Sequence, residues 1–417
     1  MARPMKESGV EWIGKIPKDW KLIKGRYCYN IQSGFPFESD KFSVVKGIPL
    51  IRIRDITSGL IETYYDGDYP EEYVVNQGDF LIGMDGDFNV RMWANCPALL
   101  NQRCCRLFEY SGYERKYLFY VLPYYLDLVN QLTYSTTVKH LSVPDLREAD
   151  IPSPSLDEQC RIVRYLDAKC SLIDSVVVKT QETIEEYKKL KQSVITEAVT
   201  KGVRGKRPMK DSGSAWFGKI PSDWNMVKFK HIVHIRKDIA GTEGYTVLSI
   251  TQRGIIPKDL SKNEGQLASD YSNYQLVDVG DFAMNHMDLL TGWVDISKYN
   301  GVTSPDYRVF ALNDSKVSYA EYYLYLVQMC YIDRIFYSLG QGVSGFGRWR
   351  LPADQFLNFL VAVPSYNEQK EIAEYIERKC AAIDALIEKK QQFIDELTAY
   401  KKSLIYEYVT GKREVPV

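Results

Sequence analysis

Three spacings in this chain could do chemistry, and each lacks its context. Gly340-Gln341-Gly342-Val343-Ser344-Gly345 fits G-x-G-x-x-G. That glycine pattern cradles a pyrophosphate only where a strand precedes it and a helix follows. Here a Tyr-rich helical stretch precedes it and Arg348-Trp349-Arg350 follows, so it reads as a polar loop. His231-Ile232-Val233-His234 has no Cys or acidic residue nearby, which makes it an ordinary His pair rather than a metal site. Asp85-Gly86-Asp87 is an acidic turn that could approach a cation. One short pair of carboxylates is too little for a nuclease centre. The chain has no G-x-x-x-x-G-K-[ST] and no N/D-P-P-[YF] tetrapeptide of the kind that amino-methyltransferases use. No metal, nucleotide or other cofactor is therefore expected in this chain, and function has to be sought in recognition.

The elements that would position recognition residues are duplicated. The 417 residues predict two or more domains. Repeats are read first, because missing them misreads the fold. Arg3-Pro4-Met5-Lys6-Glu7-Ser8-Gly9 returns as Arg207-Pro208-Met209-Lys210-Asp211-Ser212-Gly213, and Trp12 to Trp20 returns as Trp216 to Trp224, at an offset of 204. These are extended, Pro-punctuated lead-ins whose two Trp should pin the chain to the domain. Pro49-Leu50-Ile51-Arg52-Ile53-Arg54-Asp55-Ile56 alternates apolar and charged residues and predicts a strand with one wet face. Val74 to Ile82 reads as turn then strand and returns at Val277 to Met284. Arg106-Leu107-Phe108 returns as Arg308-Val309-Phe310, both at an offset of 202. A helical stretch at Lys116–Leu122 is matched at Glu321–Val327. Each half then has a polar loop, 134–141 or 340–351, and an apolar strand ending in Pro.

Two stretches without Gly or Pro, about 157–200 and 367–410, align without a gap at an offset of 210. Forty-four helical residues would make a rod of about 66 Å. Apolar residues recur at Ile162, Leu166, Ile173, Val177, Ile184, and again at Ile372, Ile376, Ile383, Ile387, Ile394. Both copies share one extra step of four, a stutter that relaxes left-handed supercoiling. Lys169/Lys379, Thr180/Lys390 and Lys191/Lys401 interrupt the seam at matching places, where Lys stems can lie along apolar surface. The expected plan is domain, rod, domain, rod: 1–155, 156–201, 202–365 and 366–413. The rods should pack antiparallel and relate the halves by a pseudo-two-fold. Flanking Val176, Val194, Ile195, Leu386, Phe393, Leu404 and Ile405 widen the apolar stripe, and a wide stripe wants a further helical partner.

Composition sets outer bounds. Net charge is −1, so a whole-chain basic footprint is absent, and nucleic-acid binding would need a local basic face. Eight Cys without C-x-x-C spacing fit a reducing cytoplasm. No apolar run approaches a membrane span, and the first residues lack the apolar core of a signal peptide.

The whole chain resembles the specificity subunit of type I restriction-modification systems. The resemblance rests on the doubled domain-plus-rod plan and on I-P-x-D-W after each lead-in. It rests also on Gly34-Phe35-Pro36-Phe37-Glu38-Ser39 and on P-S-x-x-E-Q at both rod starts. The second half departs from it, with Arg236-Lys237-Asp238-Ile239 in place of the Gly-Phe-Pro-Phe stretch. The resemblance implies an α+β protein with two tandem mixed α/β target recognition domains, each reading half of a bipartite, asymmetric double-stranded DNA site. It implies rods that act as a ruler and dock methyltransferase subunits, two of them, with restriction/translocase subunits joined through the complex. S-adenosylmethionine, ATP and Mg would then belong only to those partners. Base reading needs bidentate groups in the major groove, and backbone contacts need Lys or Arg. The candidates are Arg52, Arg54, Arg103, Lys139 and His140 in the first half, and Arg253, Arg348 and Arg350 in the second. Ile162, Leu166, Ile173, Val177, Ile372, Ile376, Ile383 and Ile387 mark the partner-binding helices. The competing reading is a non-catalytic scaffold that binds proteins without DNA specificity.

Overall fold

Each half begins by folding its lead-in into a short hairpin. Met5–Glu7 pairs antiparallel with Lys15–Pro17, and Met209–Asp211 pairs with Lys219–Pro221 in the same register. The turns need glycine, since Gly14 and Gly218 hold φ of 65° and 55°, a region that costs other residues energy. Trp20 and Trp224 are buried under this hairpin, and the guanidinium groups of Arg3 and Arg207 lie over their rings at 5.4 and 5.3 Å. The pinning role belongs to these two Trp. Trp12 is half-buried and Trp216 stays exposed. In this computed structural model residues 3–132, 139–259, 270–342 and 349–416 are described.

A four-stranded antiparallel sheet follows, built twice. In the first half its strands are β1 (Asn30–Ser33), β2 (Phe80–Gly83), β3 (Val90–Met92) and β4 (Cys104–Phe108), in the order β3-β2-β4-β1. The second half has β5 (Val233–Arg236), β6 (Phe282–Met284), β7 (Val294–Ile296) and β8 (Arg308–Leu312), in the matching order β7-β6-β8-β5. The second domain, whose start departs from the Gly-Phe-Pro-Phe stretch, is nevertheless in register: Ile31 stands opposite Leu107, and Ile235 opposite Phe310. The ladders also correct one sequence alignment. Leu107 faces Phe80 and Phe310 faces Phe282, so the offset across this strand is 203. Arg308 stands where Cys105 stands, not where Arg106 does. Side chains alternate faces along a strand, so one residue of slip moves Arg to the opposite face.

The flanking sheets differ between halves. The first half has a five-stranded sheet including Ile48–Ile51 and Ala98–Leu100, whereas the second has two-stranded ladders, Leu248–Thr251 with Gly254–Pro257 and Gln275–Val277 with Gly301–Thr303. The predicted strand at 49–56 ends at Ile51, and Ile53–Ser58 is a helix. Asp55, at the third helical position, accepts the Arg52 backbone N–H at 2.8 Å, and Gly59 stops the helix with φ of 75°. This local cap outweighs the two-residue alternation.

Helices Arg115–Leu132 and Ala320–Ile332 cover the sheets. The long helices run Leu156–Lys201 and Tyr366–Val409. The chain resolves into two compact units, one of 1–179 with 392–417 and the other of 180–391. Each holds one domain and part of both long helices, packed antiparallel. In the first unit Lys401 Nζ meets Asp174 at 2.6 Å, and in the second Lys191 Nζ meets Asp384 at 2.6 Å. The seam lysines thus cross to the facing helix. Lys169 and Lys379 instead lie over Tyr165 and Tyr375. Ile162, Leu166, Ile173, Ile372, Ile376 and Ile383 are buried, and Val177 and Ile387 are half-buried. These eight residues, expected to mark partner-binding helices, are buried or half-buried within this chain. Of the flanking set, Leu404 and Ile195 are buried too, while Leu386 and Phe393 are exposed. Leu172, Val178 and Tyr400 in the first unit and Leu190 in the second also stay exposed.

The P-S-x-x-E-Q motif explains how each long helix is attached. Gln159 accepts the Glu114 N–H at 2.9 Å and donates to Pro154 O at 3.1 Å. Gln369 accepts the Tyr319 N–H at 2.8 Å and donates to Pro364 O at 3.0 Å. Each Gln so closes the start of the covering helix against the start of the long one. Glu158 holds Arg3 at 2.5 Å and the Trp20 indole N–H at 3.1 Å, and Glu368 holds Arg207 at 2.5 Å. Tyr117 bonds Pro152 O and Val409 O, and Tyr322 bonds Ala362 O and Val199 O.

Candidate nucleic-acid interface

In the first unit the candidate residues converge where β2 runs out at Gly83. Met84 and Asp85 continue this edge. Met84 N–H donates to Arg103 O at 2.9 Å, Leu141 N–H to Met84 O at 2.7 Å, and Gly86 N–H to Lys139 O at 3.0 Å. One carboxylate organises the side chains: Asp85 lies 2.6 Å from His140 Nδ1 and 3.5 Å from Arg103. Lys139 Nζ turns to Asn130 Oδ1 at 2.9 Å. Helix Ile53–Ser58 packs Ile53 and Ile56 over Gly83 and is tied to β3 by Arg91, which donates to Ile56 O and Thr57 O. It carries Arg54, which bonds Thr63 Oγ1 at 3.1 Å and pairs with Glu62 at 3.3 Å. Arg52 precedes it and is exposed. Two residues apart in a helical turn, Arg52 and Arg54 do not share a face.

The second unit is built differently at the corresponding edge. Leu351 N–H donates to His286 O at 2.9 Å, the counterpart of the Leu141–Met84 bond, and Gln341 and Arg350 exchange backbone bonds. Arg350 is exposed. Trp349 is fixed by its indole N–H on Tyr337 O at 2.7 Å. Arg253 sits at the exposed turn of the hairpin Leu248–Thr251/Gly254–Pro257. This hairpin is held to β7 by Asp295, which accepts the Ile255 N–H. Arg348 lies outside the described residues, as do Tyr134–Val138 of the first polar loop.

The sequence reading missed a buried cationic group beneath Arg350. Arg308 is 5% exposed. It donates to Leu351 O at 2.8 Å and lies over Phe356 at 4.8 Å. Burial pulls it down to about 10, so it is charged at neutral pH. Burial, then Arg308 and Arg350, push His286 down to about 4, so this imidazole is neutral. An Arg inside the apolar run Arg308-Val309-Phe310 was the available signal. Among the described residues no group of three His, Cys, Asp or Glu could hold a metal ion, and no helix is long and apolar enough to cross a membrane.

Comparison with known proteins gives these edges a context. Residues 17–186 match the family model described as the type I restriction modification DNA specificity domain. The chain is 35% identical over 242 residues to the type I restriction enzyme EcoBI specificity subunit of Escherichia coli, covering 56% of this chain and 50% of that relative's length. It is 25% identical to the MjaVIII specificity subunit of Methanocaldococcus jannaschii, over 96% of this chain and 94% of that one. A solved structure described as the structural basis underlying complex assembly and conformational transition of the type I R-M system shares the fold. Its TM-score is 0.66 at 14% identity, over 95% of this chain and 99% of that one. With its doubled sheet and doubled long helix, the chain is similar to type I restriction-modification specificity subunits, and residues 17–186 match the DNA specificity domain found in them.

Proposed function

We propose that this chain is the DNA-recognition subunit of a type I restriction-modification complex, acting in the cytoplasm. Its two domains read the two unlike halves of a bipartite double-stranded site. The observation that carries this reading is one frame built twice with unlike edges. The sheet order, the lead-in hairpin and the Glu-Gln helix clamp repeat, whereas the edges carrying the candidate residues do not. Asp85 brackets Arg103 and His140 in one, and Arg350 with buried Arg308 occupies the other. A shared frame with divergent edges suits two readers of different sequence. Contacts from Arg52, Arg54, Arg103, Lys139 and His140 would serve one half-site, and from Arg253, Arg348 and Arg350 the other.

The chain itself is non-catalytic in this reading. Methylation, cleavage and their S-adenosylmethionine, ATP and Mg belong to partner subunits. The exposed apolar residues of the long helices, such as Leu172, Leu190, Leu386 and Phe393, are where methyltransferase subunits would dock, one for each repeat. Restriction/translocase subunits join through that complex. The long helices would set the length of DNA left unread between half-sites.

A gel-shift series on the complex over varied salt and varied spacer tests this. Specific, salt-sensitive binding to one spacer length is expected. Binding indifferent to spacer length would refute it. Lengthening the second long helix by one helical repeat at its stutter should change the preferred spacer and leave both half-sites unaltered.

A further inference from the structure

Arg308 is a buried charge with no carboxylate partner among the described residues. Its Nη1 is buried and has no hydrogen-bond acceptor, and the same holds for His286 Nδ1. No carboxylate among the described residues bonds this guanidinium. The groups that act on His286 are Arg308, Arg350 and Asp306, and Tyr331 acts on Arg308. A buried cation with no counter-charge disfavours folding, so this residue asks for a reason. The first unit shows that the local structure does not require it. There Cys105 takes the same place on the sheet, opposite Ile82 as Arg308 is opposite Met284. The Leu141–Met84 backbone bond forms at 2.7 Å with uncharged Cys105 in the place of Arg308.

Two things follow from placing a guanidinium here. It grips Leu351 O, so the residue after Arg350 is held from below. It also sets a fixed positive charge in a poorly screened interior, under an edge whose own Arg350 is exposed. We infer that Arg308 is a positioning residue of the second domain's DNA contact, holding the Arg350–Leu351 segment and supplying from beneath a positive charge that favours a DNA phosphate outside. This rests on the DNA-reading function proposed above and makes the second domain the stronger holder of backbone. The first domain has at the same edge a carboxylate, Asp85, which holds Arg103 and His140.

The test uses the full chain in its natural complex, with mixed-sequence duplex DNA as probe and fluorescence anisotropy at salt from about 50 to 200 mM. Arg308→Gln keeps a donor for Leu351 O and drops the charge, and Arg308→Lys keeps the charge. Losing one effective charge should lower the salt slope by up to about 0.9. The Gln variant's affinity deficit should then shrink about three-fold between the two salt limits. The Lys variant should keep the wild-type slope. Inorganic phosphate at matched ionic strength should compete no better than chloride. The inference is overturned if folded Arg308→Gln keeps the wild-type slope. It also fails if Arg308→Lys loses the slope as fully as Gln does, or if inorganic phosphate competes strongly, which would mean a closed small-anion pocket. Should wild type show no salt-sensitive DNA binding at all, the function proposed above fails rather than the role of Arg308.

Discussion

Removing the carboxylate from Glu368 should destabilise the protein far more than removing it from Glu158, although the two occupy the same place in P-S-x-x-E-Q. Glu368 is 1% exposed and accepts from Arg207, itself 14% exposed, at 2.5 Å, with Arg204 at 3.7 Å. Glu158 is 13% exposed and accepts from Arg3, 19% exposed, at 2.5 Å. Arg3 also has Asp19 at 2.7 Å, whereas the Asp223 carboxylate stands 3.7 Å from Arg207. In Glu368→Gln the Arg207 charge stays buried against Trp224 with only a distant carboxylate. Orphaning one member of a buried pair costs about 3–5 kcal/mol. In Glu158→Gln, Arg3 keeps the close Asp19 and more water, so the cost should be nearer 1 kcal/mol. A unit of this size shifts by about 2–4 °C per kcal/mol. Thermal unfolding followed by circular dichroism should therefore drop by about 10 °C for Glu368→Gln and by a few degrees for Glu158→Gln. Equal shifts, or a larger one for Glu158→Gln, would refute the burial argument and leave the motif as a surface ion pair.

Asp85→Asn should release Arg103 and His140 and remove a negative charge from the first edge. Non-specific duplex binding should tighten a few-fold, with a steeper salt slope, while discrimination at one half-site falls, both read by anisotropy. His286 is held below its unfolded value, so the unfolded chain binds more protons between about pH 6.5 and 4. Its contribution is intact above that window and lost as pH falls through it, by about 2 kcal/mol after allowing for partial solvation. Denaturant melts at pH 7 and pH 4.5 should show His286→Gln losing less stability on acidification than wild type. Arg236→Gln should cost about 2–3 kcal/mol by orphaning buried Asp281, and adding Val309→Arg should recover most of it in urea unfolding.

What the sequence made legible were features with a period or a copy. The lead-ins, the covering helices and the long helices each appear twice, and Ile162, Ile173, Ile372 and Ile383 repeat at helical spacing. What escaped it depended on contacts distant in sequence or on a single residue of register. Lys191 and Lys401 looked like interruptions of an apolar seam because Asp384 and Asp174 lie on the facing helix. Arg52 and Arg54 looked like one wet strand face because alternation was counted and the Asp55 cap was not. The Arg-x-Phe pattern survives a one-residue slip, so Arg106 and Arg308 looked equivalent while facing opposite sides. His140 and Lys139 were found as polar-loop residues, but nothing in their spacing showed that Asp85 and Asn130 would hold them.

That slip is offset within the second domain, and the way it is offset bears on how two unlike domains can share one frame. In the first sheet Asp79 accepts the Asn76 N–H at 2.9 Å and pairs with Arg106 on β4 at 3.0 Å, with Gln32 beside it on β1. In the second, Asp281 accepts the Asp278 N–H at 2.8 Å but pairs at 2.5 Å with Arg236 on β5. Arg236 occupies the place of Gln32, and Val309 occupies that of Arg106. The cation has moved to the neighbouring strand while the carboxylate and its turn stayed fixed. This matters because Asp281 is buried and would be left without a counter-charge otherwise. With the outer-face demand met from β5, the Arg on β8 could sit one residue earlier and face inward, under the Arg350 edge. The frame thus tolerates a change of register at its centre because one pair keeps its function but not its position, and the inward guanidinium of Arg308 is left to hold Leu351 O.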